Sequence, residues 1–135
     1  MKLAKTKIAS LLLLVLASCT SGPMSSPTAT FKTQHKAVCE KDVAAYKKTH
    51  ATWLNKKLEE YVKQTRFSSL DEYYKDELEQ LSKHGATCKE PEIRNEKMEG
   101  EKGSIEFRYP GGEWITTHFL KEGNEWKSTI VLGNP

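Results

Sequence analysis

The chain has 135 residues, three cysteines, and 21 lysines plus arginines against 18 aspartates plus glutamates. Lys2, Lys5 and Lys7 account for the excess, so the rest of the chain carries 18 of each sign. That balance gives no indication of a basic nucleic-acid surface, and the length suits one domain with one core.

The chain opens on those three lysines with no acidic residue among them, followed by an apolar run from Ile8 to Leu16 with Ser10 as its polar break. The run is too short to span a bilayer, which takes about 20 apolar residues. It has the anatomy of a secretory signal. Leu16-Ala17-Ser18-Cys19 follows, and it resembles the lipobox of bacterial lipoproteins. The resemblance implies a diacylglyceryl group on the Cys19 thiol and cleavage before that residue. It also implies a cell-envelope location and the membrane as a partner through the N-terminal lipid. Thr20, in place of an aspartate, points to the outer membrane if the host is Gram-negative. Residues 1–18 are then a lipoprotein signal peptide, residues 19–30 a lipidated flexible tether rich in Ser, Thr, Pro and Gly, and residues 31–135 a single domain.

With Cys19 committed to lipid, Cys39 and Cys88 remain. An even pair in an oxidising compartment predicts a disulfide. It closes a loop of about fifty residues, worth on the order of 4 kcal/mol in the chain-entropy model. The alternative is two reduced cysteines packed as small apolar side chains.

Helical spacing comes first. Phe31, His35 and Val38 recur at i, i+4, i+7, with Thr28 or Thr30 as N-cap. Asp42 caps a short helix carrying Val43, Tyr46 and His50. Thr52 begins a third, with Leu54, Leu58, Tyr61, Val62 and Thr65 along one face and Glu59–Lys63 as an ion pair on the other. Ser69 and Glu72 form a capping box before a fourth helix that turns Leu70, Tyr74, Leu78 and Leu81 inward. Gly85 stands where a left-handed C-terminal residue belongs.

From Glu92 the period changes to two. Ile105, Phe107 and Tyr109 alternate with Glu106 and Arg108. Segments 113–121 and 125–132 are rich in Trp, Ile, Thr, Phe and Val. Gly100 to Gly103, Pro110-Gly111-Gly112 and Glu122-Gly123-Asn124 separate the strands, and such short turns imply an antiparallel meander. Ile93 and Met98 have opposite parity, which predicts a bulge or an edge position in the first strand. The expected fold is α+β: N-terminal helices packed on a curved antiparallel meander of about four strands.

The step from Glu40-Lys41-Asp42-Val43 to Tyr46, the late strands, and the closing Gly123-Asn124-Glu125-Trp126-Lys127 resemble the nuclear-transport-factor-2-like superfamily over residues 29–132. Many members place a strand hairpin before the last helix, whereas here all helices precede the sheet. A cystatin-like layer is the other architecture these elements allow. The superfamily resemblance implies an apolar cavity between sheet and helices, used for small ligands, for protein partners, or for proton-transfer chemistry on an Asp or His. Tyr46, Trp53, Tyr74, Trp114 and His118 are the candidate cavity residues, with His50, Tyr73 and Trp126 beside them. Each also has a plain packing role, since Trp and Tyr fill cores and need one polar partner.

His118 is the strongest candidate acid or base, but its sequence neighbours place no carboxylate beside it. His35 and Cys39 stand at i, i+4, two ligands where a metal needs three or four. No cofactor, nucleophile-elbow or phosphate-loop signature is present, and neither a catalytic nor a metal-binding set is expected. The expected function is a membrane-anchored, non-catalytic domain for a small apolar ligand or an envelope protein. A lyase or isomerase using His118 with a carboxylate is one alternative. A structural or inhibitory surface protein without a cavity is another.

Overall fold

A computed structural model describes residues 22–83 and 88–130. The signal, Cys19, His84, Gly85, Val131 and Leu132 lie outside the described residues. Four helices precede four strands: α1 (Pro27–Glu40), α2 (Val43–Lys48), α3 (Thr52–Val62), α4 (Leu70–Lys83), β1 (Glu92–Glu99), β2 (Lys102–Arg108), β3 (Ile115–Glu122) and β4 (Glu125–Ser128). The strands form one open antiparallel sheet in sequence order. The α+β meander read from the sequence is therefore the fold.

Each helix starts where local chemistry satisfies its first amides. α1 begins earlier than its apolar period suggests. Ser26, and neither Thr28 nor Thr30, is the N-cap, accepting from the Ala29 amide at 3.0 Å, and Pro27 occupies the first turn. Proline there gives up no hydrogen bond and presets the backbone. The domain accordingly reaches back into the segment composition assigned to the tether. Asp42 caps α2 through the Ala45 amide at 3.0 Å. α3 takes its cap from the sheet, because the Glu122 carboxylate of β3 accepts from the Thr52 amide and hydroxyl, both at 2.8 Å. A carboxylate is well placed at the positive end of a helix. At α4, Ser69 accepts from the Glu72 amide at 3.1 Å, but the Glu72 carboxylate turns to the Ser68 amide and hydroxyl rather than closing a box on Ser69. On α3, Lys63 pairs with Glu60 at 2.7 Å and not with Glu59.

The register of β1 on β2 breaks between Arg94 and Lys97, with Asn95 left-handed at φ 53°. This is the irregularity that the parity of Ile93 and Met98 anticipated. The β1–β2 turn at Gly100 and the β3–β4 turn at Gly123 lie at one end of the sheet, since the Lys121 amide donates to the Glu101 carbonyl at 2.8 Å. The Pro110–Gly112 turn closes the other end.

Two apolar clusters result. Phe31, Ile105, Phe107, Phe119 and Trp126 fill the space between α1 and the sheet, and Phe31 and Phe107 rings lie 4.4 Å apart. Ala37, Val38, Tyr46, Leu54, Leu58, Val62, Leu70, Tyr74 and Leu78 form the core among the helices. α1 belongs to both. It runs along β2 from Pro27 at Gly103, past Phe31 at Phe107, to His35 at Tyr109. At its far end Cys39 and Cys88 stand at disulfide distance, their Cα atoms 5.5 Å apart. That tie joins the helical layer to the segment entering β1.

Candidate functional site

Three of the aromatic candidates meet inside the helical layer. The Tyr46 and Tyr74 rings are edge-on at 5.4 Å, His50 meets Tyr46 edge-on at 4.7 Å, and His50 stacks on Tyr74 at 5.2 Å. Asp42 fixes the turn that delivers Tyr46. The backbone around His50 is stitched to β4: the Ser128 amide donates to the Thr49 carbonyl at 2.7 Å, and the Ala51 amide to the Ser128 carbonyl at 2.9 Å.

The polar atoms of this cluster are almost all matched. His50 Nδ1 lies 2.9 Å from the Tyr46 carbonyl, and His50 Nε2 lies 3.3 Å from the Gln34 amide nitrogen. This arrangement suits a neutral ring that donates from Nδ1 and accepts at Nε2. Burial disfavours the cation and holds His50 down at about 4, against the pull of the Tyr46 carbonyl. The Tyr74 hydroxyl donates to Asn55 Oδ1 at 2.7 Å, and Asn55 Nδ2 donates to the Lys47 carbonyl at 3.2 Å. The Tyr46 hydroxyl donates to Glu77 Oε1 at 3.2 Å. Glu77 Oε2 is buried with no hydrogen-bond partner among the described residues. Burial pushes the Glu77 carboxyl up to about 8, and the Tyr46 hydrogen bond offsets part of that. Burial, with Glu77 second, also raises Tyr74.

A carboxyl near 8 has the acidity general acid–base chemistry wants, but access decides its use. The nearest groove is an open one of 690 Å³ along α2 and α3, lined by Asp42, Lys47, His50, Asn55, Asp71 and Lys127 among others. Neither Glu77 nor Tyr46 lines it. Glu77 is therefore placed to affect folding more than to meet a substrate.

The remaining candidates lie elsewhere. Trp53 is 45% exposed on the outer side of α3, because Leu54, Leu58 and Val62 take the inner stripe. Trp126 is in the sheet core. Tyr73 is half-buried between Tyr61 and Phe67. Strand alternation turns Thr117 and Phe119 toward the helices, so His118 faces out and is exposed. Trp114 lies under two guanidinium groups, Arg94 at 3.8 Å and Arg108 at 4.7 Å from its ring centre. The five expected cavity residues thus do not converge. Tyr46 and Tyr74 meet, while Trp53, Trp114 and His118 lie on the outside, because the space a cavity would occupy is filled by Phe31, Phe107, Phe119 and Trp126. His35 packs between Cys39 and Tyr109. Its ring nitrogens lie 3.7 Å from Cys39 Sγ and 3.4 Å from the Tyr109 hydroxyl. Among the described residues no group of three or more His, Cys, Asp or Glu could hold a metal.

Sequence reasoning missed Glu77 and Asn55. Glu77 lies three residues past Tyr74 on the inward side of α4, and that spacing was its visible signal. Arg94 and Arg108 were readable as strand residues, but their convergence on Trp114 depends on cross-strand register. Around them Glu92 pairs with Arg108, and Arg94 and Asn95 with Glu106, so the outer face is a ladder of opposite charges. No protein-family model matches the chain, and neither a curated protein nor a solved structure matches it.

Proposed function

We propose that this chain is a lipid-anchored envelope protein whose domain binds another envelope protein on the outer face of the sheet and catalyses no reaction. The observation that carries the choice of face is the filled interior. Phe31 and Ile105 are fully buried, and Phe107, Phe119 and Trp126 nearly so, so among the described residues apolar side chains pack the space between α1 and the sheet. Among the described residues no helix packs on the opposite face, which carries Trp114 with Arg94 and Arg108. Trp and Arg are the side chains on which binding energy concentrates in protein interfaces. The anchor rests on the lipobox, and the non-catalytic reading on the outward placement of His118.

Anchoring is tested by Cys19→Ala, which is expected to abolish incorporation of labelled fatty acid. Normal acylation of the variant would overturn it. Binding is tested with a photo-crosslinking residue at Thr116 on the outer face and, separately, at Lys57 on α3, in cells producing the full chain. One discrete adduct from position 116, weakened by Trp114→Ala and missing from position 57, is expected. The same adducts from both positions would refute the outer face as the binding surface.

A further inference from the structure

Met24 is fastened to the sheet. Its carbonyl accepts from the Trp126 amide of β4 at 2.8 Å, and its side chain is buried. Lys127 Nζ lies 3.7 Å from its sulfur. The Pro23 carbonyl accepts from the Thr33 hydroxyl of α1 at 2.6 Å. Pro27 sits over Gly103, where a β-carbon would come within 2.7 Å of it. The chain is therefore fastened to the fold from about residue 23 onward, well before the boundary at residue 30 that composition suggests.

Five residue steps separate Cys19 from Met24. Fully extended, five residues span at most about 18 Å. A domain of roughly 100 residues has a radius of gyration of about 13 Å, so it is wider than its leash is long. A lipid on Cys19 then cannot let the domain turn over. The end of the molecule that carries Met24 must lie against the bilayer. Met24 bonds to Trp126, three residues past the Gly123 turn, so that end is the one with the two tight hairpins.

We propose that the hairpin end of the sheet, at Gly100–Glu101 and Gly123–Asn124, rests on the headgroup layer of the membrane. The opposite end, with the Cys39–Cys88 pair, the Pro110–Gly112 turn and Trp114, points away. This rests on the lipid-anchor reading above. The exposed side chains at the membrane end mix signs: Glu99, Glu101 and Glu125 beside Lys102 and Lys121. The contact is thus imposed by the short leash and not by charge, and salt leaves it intact.

The test uses the full acylated chain in phosphatidylethanolamine–phosphatidylglycerol vesicles containing headgroup spin-labelled lipid. A genetically encoded fluorescent residue is placed at Asn124 or at Glu113. Quenching several-fold stronger at 124 than at 113, unchanged in high salt, is the expected result. Equal quenching, or stronger quenching at 113, would overturn the orientation. So would loss of the difference in high salt. A Gly/Ser insertion of about twenty residues between Ser21 and Gly22, with a mean reach near 25 Å, should abolish the difference, and its persistence would overturn the leash as the cause. Mass spectrometry of the same preparation separates the two readings. A chain without acyl groups on Cys19 sinks the anchor and the orientation together, whereas an acylated chain with equal quenching sinks the orientation alone.

Discussion

Glu77 and His50 pull the stability of the helical layer in opposite directions as pH changes. Glu77 titrates near 4.5 in an unfolded chain and near 8 when folded. Between those values the folded state holds the extra proton, so stability falls as pH rises, and the loss is complete above 8. His50 titrates near 6.5 unfolded and near 4 folded. Over that window the unfolded chain holds the extra proton, so stability rises with pH. The two slopes oppose each other up to about 6.5, and above it Glu77 acts alone. Urea unfolding should therefore show a decline of at most about 2 kcal/mol from pH 6.5 to 8. Glu77→Gln should remove that decline. If the variant declines in parallel with the natural protein, Glu77 is not its source. None of this was legible from residue identity. The spacing from Tyr74 places Glu77 on the inward side of α4, but its raised titration comes from burial beneath Tyr46, which spacing does not show.

α1 is the element on which both cores depend, and Gly103 sets how closely it approaches the sheet. A β-carbon there would come within 2.7 Å of the Pro27 ring and 2.9 Å of the Trp126 indole. Gly103→Ala should cost on the order of 1–3 kcal/mol by overpacking. Gly22→Ala, with open space around it, should cost nothing measurable. Phe31→Ala should cost about 3–5 kcal/mol, because it opens a hole between helix and sheet. Thermal melts of the three variants check the order, at roughly 4–8 °C for each kcal/mol. Most elements were legible because their signals are local: the Asp42 cap, the inward stripe of α4, Leu54, Leu58 and Val62 of α3 (Tyr61, expected beside them, is 54% exposed, and Thr65 lies past the helix end), the alternation of β2, and the parity break in β1. The start of α1 was misplaced because Ser26-Pro27 lies in a stretch whose composition resembles a linker. What makes that stretch part of the fold is a contact with Trp126, a hundred residues later. The five candidate cavity residues do not converge for a similar reason. Periodicity marks which side of an element is apolar, but Phe31 filling the gap against Phe107 is a fact of packing between layers.

At the scale of the whole molecule, the Cys39–Cys88 tie closes a stretch of 49 residues that holds α2, α3 and α4. Replacing both cysteines by alanine should lower stability by about 2–4 kcal/mol. Chemical denaturation of the natural protein with and without reductant should show the same difference. A reductant effect in the double variant would point to another cause. If the chain is held on a membrane by the proposed anchor, the break in β1 has a consequence of its own. Molecules confined to one leaflet collide edge to edge far more often than in solution, and an outer strand with free amides is a template for the next copy. The regular pairing of β1 with β2 covers only three residues on either side of the break. The left-handed Asn95 interrupts the strand between them, with charged Lys97 and Glu99 beyond it. Neither half is long enough to recruit a neighbour's strand. Copies anchored in this way would therefore pack densely in two dimensions and still remain separate molecules, each keeping its own sheet.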